Sequence, residues 1–507
     1  MEQGHALLAL IAIPLLTAAA LVVVPSERKD WVRILAVLSG AAVFVISVYV
    51  FADYKASGDE QFSFLLRYDW LENVGILGED GITLHLGVDG IAATMVLLNG
   101  VVAFAGTLIS WKIEDKNKDF FVLFFILVTG VFGTFTSLDL FFFFFFYELA
   151  VLPMYLLIAV WGASSRFPTF IRTKEYGALK LMMMLVAASV PIFFGIFAVF
   201  VEAGLGTFDL PALYEHAAAG GFDPDFQRLV FPLFAVGAGC LAGLWPFHTW
   251  SPDGHVAAPT AVSMLHAGVL MKLGAFGILR LGIQLLPEGA EFWMPGLVVL
   301  ATINILYGAI SAMGQTDFKY MVGYSSVSHM GYVLLGLATL DPVGVNGAAL
   351  QMFSHGVMTA LMFAMVGAVY DQAHTREMAA FGGLAKKMPR FAIYFAVAGL
   401  TSVGLPGLSG FVAEFNIFVG TFSSYPVAGA LAILGAGITA VYIFRMLALS
   451  FFGQFNEARW GGLKEMNRFE MAGGALLIVF ILFMGLWPDP FVDRISPTVV
   501  NFLPGVG

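Results

Sequence analysis

The feature that most constrains this chain is the recurrence of apolar stretches long enough to cross a bilayer. Such a crossing takes roughly 18 or more residues with few charges. "LFFFFFFYELAVLPMYLLIAVW" (140–161) and "GALLIVFILFMGLW" (474–487) are two of many. In lipid every backbone N–H and C=O needs a protein partner, so a chain built this way folds as a bundle of spanning helices. Composition agrees: 59% of residues are hydrophobic and 12% charged, against roughly 25% charged in soluble domains. The predicted class is an all-α polytopic membrane protein. Its 56 glycines suit helices that pack at close range. The single Cys240 permits no internal disulfide and excludes a cysteine-ligated metal or iron–sulfur centre. No metal site, soluble domain, nucleotide loop or nucleic-acid partner is expected. Met1–Gly4 carries no basic residue, so the first apolar stretch reads as a retained helix.

Fourteen spans are predicted, near 5–24, 32–51, 91–111, 119–137, 138–161, 176–199, 229–247, 259–285, 293–313, 318–340, 345–370, 391–422, 426–452 and 469–487. The fourth and fifth divide at Ser137. Loops taken alternately put seventeen of the 25 Lys and Arg on one side, Lys319 and Arg376 among them. Five, including Arg280, fall on the other side, and Lys180, Lys272 and Arg445 fall inside spans. The rich side is expected to be cytoplasmic, with both termini outside. The longest loop, 52–90, alternates apolar and polar residues as a short hairpin would. Residues 204–226 read as a second outer loop with a short helix.

An ionisable group near the bilayer centre costs about 2.5–3.5 kcal/mol on insertion scales, which makes it a functional candidate. The candidates are Glu148, Lys180, His266, Lys272, His329, His355 and Glu414. Acids, bases and imidazoles in alternation can relay protons when water links them. The plainer readings are interhelical hydrogen bonding for the histidines and snorkelling for Lys180 and Arg445. Glu148 and Glu414 lie too deep to snorkel. The run Phe141–Phe146 reads mainly as lipid contact and packing, and its apolar walls oppose ionisation of Glu148. "HTWSPDGH" (248–255) holds His248, Asp253 and His255 but lacks a two-ligand helical spacing, so it reads as a polar turn.

Two spans are interrupted by proline and glycine: the seventh at "GLWPFH", around Pro246, and the twelfth at "VGLPGLSG", around Pro406. Broken helices in corresponding places suggest an internal repeat around a transport route. The predicted division is 1–118 (three helices with outer loop 52–90), 119–285 and 293–452 (five-helix repeats, spans 4–8 and 9–13, mutually inverted), and 469–507 (last helix and tail).

Four segments carry a family resemblance: "DLFFFFFFYELAVLPMYLLIAVWG" (139–162), "WPFHTWSPDGHVAAPTAVSMLHAGVLMKLGAFGILR" (245–280), "DFKYMVGYSSVSHMGYVLLG" (317–336) and "GLPGLSGFVAEF" (404–415). They resemble the antiporter-like membrane subunits of respiratory complex I, relatives of the Mrp antiporters, and most closely the M-type chains. Glutamate at 414, where the N- and L-type chains and Mrp antiporters usually carry lysine, favours that type. The resemblance implies a proton-translocating module without a redox centre. NADH, FMN, iron–sulfur clusters and quinone are then handled by partner subunits, with L- and N-type chains as neighbours. It implies an input role for Glu148, polar connectors at Lys272, His329 and His355, and an exit role for Glu414.

One departure stands out. The family's seventh-span lysine, partner of the fifth-span glutamate, falls here on Leu241. Three explanations compete: Lys180 substitutes for it in space, waters and histidines serve while Glu148 switches alone, or this half-channel is inactive and the subunit only couples. Substitution by Lys180 is the expectation adopted. A hydrogenase-linked ion pump or a cation/proton antiporter is the alternative function.

Overall fold

A computed structural model describes residues 3–55, 61–78, 80–166 and 169–503. Residues 56–60 and 79 of the expected outer loop, and 504–507 of the expected tail, lie outside them. Among the described residues, twelve helices are long and apolar enough to cross a membrane. The tenth predicted span is a 21-residue helix, Phe318–Ala338, which falls outside that set. It carries three serines and His329, which lower its hydropathy. The twelfth is two short helices, Pro389–Ser402 and Ser409–Ser424.

The helices form an inner group and an outer ring. Spans three (Gly90–Ile109), eight (Thr260–Ile283), ten and eleven (Pro342–Ala373) are buried over nearly their whole length. Spans one (His5–Val23), two (Lys29–Asp53), six (Lys174–Ala203) and thirteen (Pro426–Phe451) keep one side against the bundle and expose apolar residues on the other. A helix buried on all faces has no amphipathic stripe, and those inner helices hold most of the ionisable candidates. Corresponding pairs pack alike: span four (Asn117–Thr136) lies along span five (Leu140–Trp161), and span nine (Pro287–Met313) along span ten.

The fourth and fifth spans part at Ser137, as expected. Asp139 caps span five, accepting hydrogen bonds from the N–H groups of Phe141 (2.9 Å) and Phe142 (3.0 Å). Such a cap starts a helix because it satisfies donors that have no intrahelical acceptor. The outer hairpin is present as antiparallel strands Ser63–Leu71 and Ile82–Val88. It straps the junction, the Leu138 N–H donating to the His85 carbonyl at 2.8 Å. The short helix of the second outer loop is Leu210–Ala218.

The seventh span is broken differently from the expectation. Pro224–Ala242 stops at Gly243, which has φ +81 and ends the helix with a left-handed residue. The chain then re-enters a helix at Trp250–Ala257, so "HTWSPDGH" is mostly helical and not a turn. Pro252 stands in the first turn of that helix, where its missing N–H removes no hydrogen bond. Asn304 of span nine satisfies the break: it accepts from the Trp245 N–H (2.6 Å) and donates to the Gly243 and Val327 carbonyls (3.0 Å each).

Two further expectations are corrected. Residues 489–502, taken as tail, form the helix Asp489–Phe502. Phe491, Ile495 and Val499 recur every four residues, and all three are buried. The Phe491 ring packs 5.0 Å from Phe51 and 4.8 Å from Phe353. Arg280, Lys319 and Arg376, counted as loop charges, are 3%, 3% and 6% exposed. Arg280 is paired with the buried Asp89 at 2.6 Å, and Arg376 with Asp317 at 3.0 Å.

Asn304→Leu should strand the Trp245 N–H and the Gly243 carbonyl. The expected cost is about 1–3 kcal/mol for a buried polar group left without its partner, read as a lower thermal midpoint of the purified protein.

Candidate functional site

Lys272 sits on span eight in a short α-helical stretch, Met271–Gly277, between two π-helical turns, His266–Leu270 and Ile278–Ile283. Such wide turns are rare and recur at functional sites. Its side chain is fully buried. The ammonium donates to the Ala267 carbonyl and lies 2.7 Å from Nδ1 of His355. Among the described residues no carboxylate pairs with it. Spans eight and eleven reach each other because glycine faces glycine. A Cβ on Gly356 would stand 2.6 Å from the Gly268 carbonyl oxygen, and one on Gly268 3.0 Å from that of Gly356.

From His355 the polar groups continue. Its ring centroid is 5.3 Å from that of His329. His329 Nδ1 lies 3.2 Å from Oε1 of Glu414, and Nε2 lies 2.8 Å from the Ser402 hydroxyl. The Gln351 amide sits 3.3 Å from His329 Nδ1 and donates to Glu414 Oε1 at 3.3 Å. The break in span twelve folds over Glu414: Gly404 has φ +73, and a Cβ there would meet Oε2 at 3.0 Å. Four of the seven predicted residues, Lys272, His355, His329 and Glu414, thus form one row from span eight to span twelve.

His266 extends the row on the other side. Its ring is 4.1 Å from that of His255 and 5.2 Å from Trp250, and both its nitrogens lack a hydrogen-bond partner. His255 holds the Ser251 hydroxyl through Nε2 at 3.0 Å and leaves Nδ1 without a partner. A row of imidazoles with open nitrogens, ending in an ammonium at one point and a carboxylate at another, can accept and release protons at each member.

Glu148 stands apart. Its Oε1 is buried with no hydrogen-bond partner, and Ser189 lies beside the carboxylate. It lines a crevice of about 250 Å³ whose other walls are apolar, chiefly Phe141, Phe144, Phe193 and Phe197. Within the run, Phe143 and Phe146 are buried while Phe145 is 46% exposed, so the run serves both packing and the outer surface. Leu241 is fully buried.

Lys180 does not substitute for the missing lysine. Its Nζ donates to Oδ2 of Asp253 at 2.8 Å, and Arg172 holds Oδ1 at 2.5 Å. Depth explains the separation. Glu148 is eight residues past Leu140 at one membrane face, about 12 Å along the axis at 1.5 Å per residue. Lys180 is six residues past Lys174 at the opposite face, about 9 Å along. Ser189, fifteen residues past Lys174, or about 22 Å along, is the residue level with Glu148. His248, Asp253 and His255 do not converge as ligands either. Asp253 is taken by the two cations, His255 by Ser251, and His248 packs edge-on to Tyr307 at 4.9 Å.

Sequence reasoning passed over His255, Gln351, Ser402, Asn304 and Lys319. Gln351 carried a usable signal, since it precedes His355 by four residues and shares its helical face. Asn304 and Ser402 carried none, because neutral polar residues are common in membrane helices.

A family profile described as "NADH:quinone oxidoreductase/Mrp antiporter, TM" matches residues 137–439. The chain belongs to this family. The NADH-quinone oxidoreductase subunit M of Rickettsia typhi is 32% identical over 502 residues, covering 97% of each chain. The NAD(P)H-quinone oxidoreductase chain 4-3 of a Nostoc species is 35% identical over 454 residues, 88% of this chain and 78% of that one. In the solved respiratory complex I of Thermus thermophilus, one chain superposes with a TM-score of 0.88 at 26% identity, covering 99% of this chain and all of that one. An Mrp complex from a Dietzia species shares the fold, with a TM-score of 0.84 at 19% identity, over 99% of this chain and 98% of that one. Span seven's break and the Glu414 row both lie inside the family match.

With Lys180 held by Asp253, Lys180→Met should leave the carboxyl stretching band of Glu148 in place. Difference infrared spectra of the purified protein, with Glu148→Gln to assign the band, would check this.

Proposed function

We propose that this chain is a proton-translocating, M-type membrane subunit of an NADH–quinone oxidoreductase of the complex I kind, coupling quinone reduction elsewhere in the complex to proton movement across the membrane. The observation that carries the reading is the buried row Lys272–His355–His329–Glu414, with His266 behind it. A lysine buried without a carboxylate is costly in a membrane interior, and a row of such groups has no packing purpose that apolar residues would not serve better. The names of the relatives support the assignment to an oxidoreductase complex.

In this reading the chain takes no part in the redox chemistry. NADH, FMN, iron–sulfur clusters and quinone belong to partner subunits, and the lone Cys240 fits that division. Subunits of the L and N types flank it in the membrane arm, and lipids cover the rest. The lysine- and arginine-rich loops put the chain in the bacterial inner membrane with both termini on the outer side. Residues 119–285 and 293–452 act as two inverted five-helix units, each with one broken helix, and the row crosses from the first to the second. Its members exchange protons by handing them between ring nitrogens, ammonium and carboxylate as the local field changes.

A second reading, a coupling subunit that pumps nothing, is favoured by one observation: Glu148 has no cation and Leu241 is buried. Glu414→Ala and Lys272→Met separate the two. In assembled complex reconstituted into vesicles, each should lower protons translocated per electron pair by the same amount, this chain's share. Pumping equal to that of the parent in both variants would support the coupling role instead.

A further inference from the structure

A row of proton carriers needs a route from water, and the Glu148 crevice is a poor one: its walls are phenylalanine and its carboxylate has no cation. A second cavity, of about 390 Å³, opens on the lysine- and arginine-rich side between the ends of spans three, five, eight, ten and eleven. At about 30 Å³ per water it has room for roughly ten. Its mouth is flanked by Lys112 and Asp371, paired at 2.5 Å. Ser110, Thr260 and Tyr370 line it, and Lys319 closes its inner end.

Lys319 is 3% exposed and, among the described residues, makes no ion pair. Its Nζ donates to the Ala258 carbonyl at 2.6 Å and lies 3.4 Å from the Ser263 hydroxyl. That hydroxyl donates in turn to the His255 carbonyl at 2.9 Å. The His255 ring is 4.1 Å from the His266 ring and lies within the electrostatic reach of both Lys319 and Lys272. An ammonium at the floor of a polar cavity therefore stands one residue away from the imidazoles that lead to Lys272. Purely structural cations in this protein look different: Arg280 and Arg376 each hold a carboxylate.

We propose that protons reach the central row of this chain through the Lys319 cavity, with Lys319 as the group that passes them inward. The inference rests on the proton-translocating reading above. In the step, the Lys319 ammonium gives up one proton, which is taken by an open ring nitrogen of His255 or His266. The neutral amine then takes a proton from water in the cavity. Charge moves inward by one unit and no bond to carbon changes. With Ser251 on Nε2 of His255, the acceptor on that ring is Nδ1, which has no partner.

The test compares Lys319→Met, Glu414→Ala and the double variant in the assembled complex, reconstituted in vesicles, with protons counted per electron pair. The expected result is the same loss in all three, because both residues lie on one route and blocking it twice removes nothing more. Lys319→His, which keeps a titratable group, should restore part of the loss, which a purely structural role for Lys319 would not produce. Complex content in the membrane, measured for each variant, separates misassembly from loss of transfer. As an independent readout, Thr260→Cys should be modified by a charged, membrane-impermeant methanethiosulfonate reagent added from the lysine- and arginine-rich side, with pumping reduced afterwards. Parent-level pumping in Lys319→Met beside a loss in Glu414→Ala would overturn the route and leave the translocation reading standing. Parent-level pumping in both would overturn that reading itself. A Thr260→Cys that resists the reagent would also overturn the route, because the cavity would then be closed to water.

Discussion

The bundle is organised by a single constraint: a polar group at membrane depth must find a partner inside the protein. Backbone groups freed in hydrocarbon cost several kcal/mol each if left alone. The break in span seven exists because Asn304, from a neighbouring helix, supplies an acceptor to Trp245 and donors to Gly243 and Val327. The break in span twelve is held by Gly404 in a left-handed conformation and by the Ser354 hydroxyl donating to Ser409 at 2.8 Å. Once both helices are broken, their polar ends face the inner helices, and the ionisable residues collect where those ends point.

The same constraint explains why the inner helices pack as they do. Lys272 and His355 meet only because Gly268 and Gly356 let spans eight and eleven touch backbone to backbone. Any side chain at either glycine would separate the helices by the width of a methyl group and break a 2.7 Å contact. Glycine here is a matter of distance between helices, which decides whether an ammonium buried without a carboxylate has an imidazole to share its proton.

Glu148 and Lys180 show how far residue type can mislead without depth. Both are ionisable and lie on adjacent helices, and one lacks the partner its family resemblance leads one to expect. They start from opposite membrane faces, so their side chains lie at different levels, and each meets what its own level offers. For Lys180 that is Asp253; for Glu148 it is Ser189 and a phenylalanine wall. A sequence lists the groups in order but gives no common depth scale until helix ends are placed.

The sequence by itself determined the class of fold, the apolar spans, the broken helices at Pro246 and Pro406, the split at Ser137 and the row members Lys272, His329, His355 and Glu414. It could do so because hydropathy, proline and buried charge are local properties that lipid makes costly to violate. It also held, unread, the i, i+4 pattern of Phe491, Ile495 and Val499 and the pairing of Gln351 with His355 on one face. Only the tertiary structure decided that Lys319, Arg376 and Arg280 turn inward, that His255 stacks on His266, and that Lys180 serves Asp253. Those outcomes depend on which helix ends come together, and contacts between residues far apart in the chain leave no mark on the periodicity of either segment.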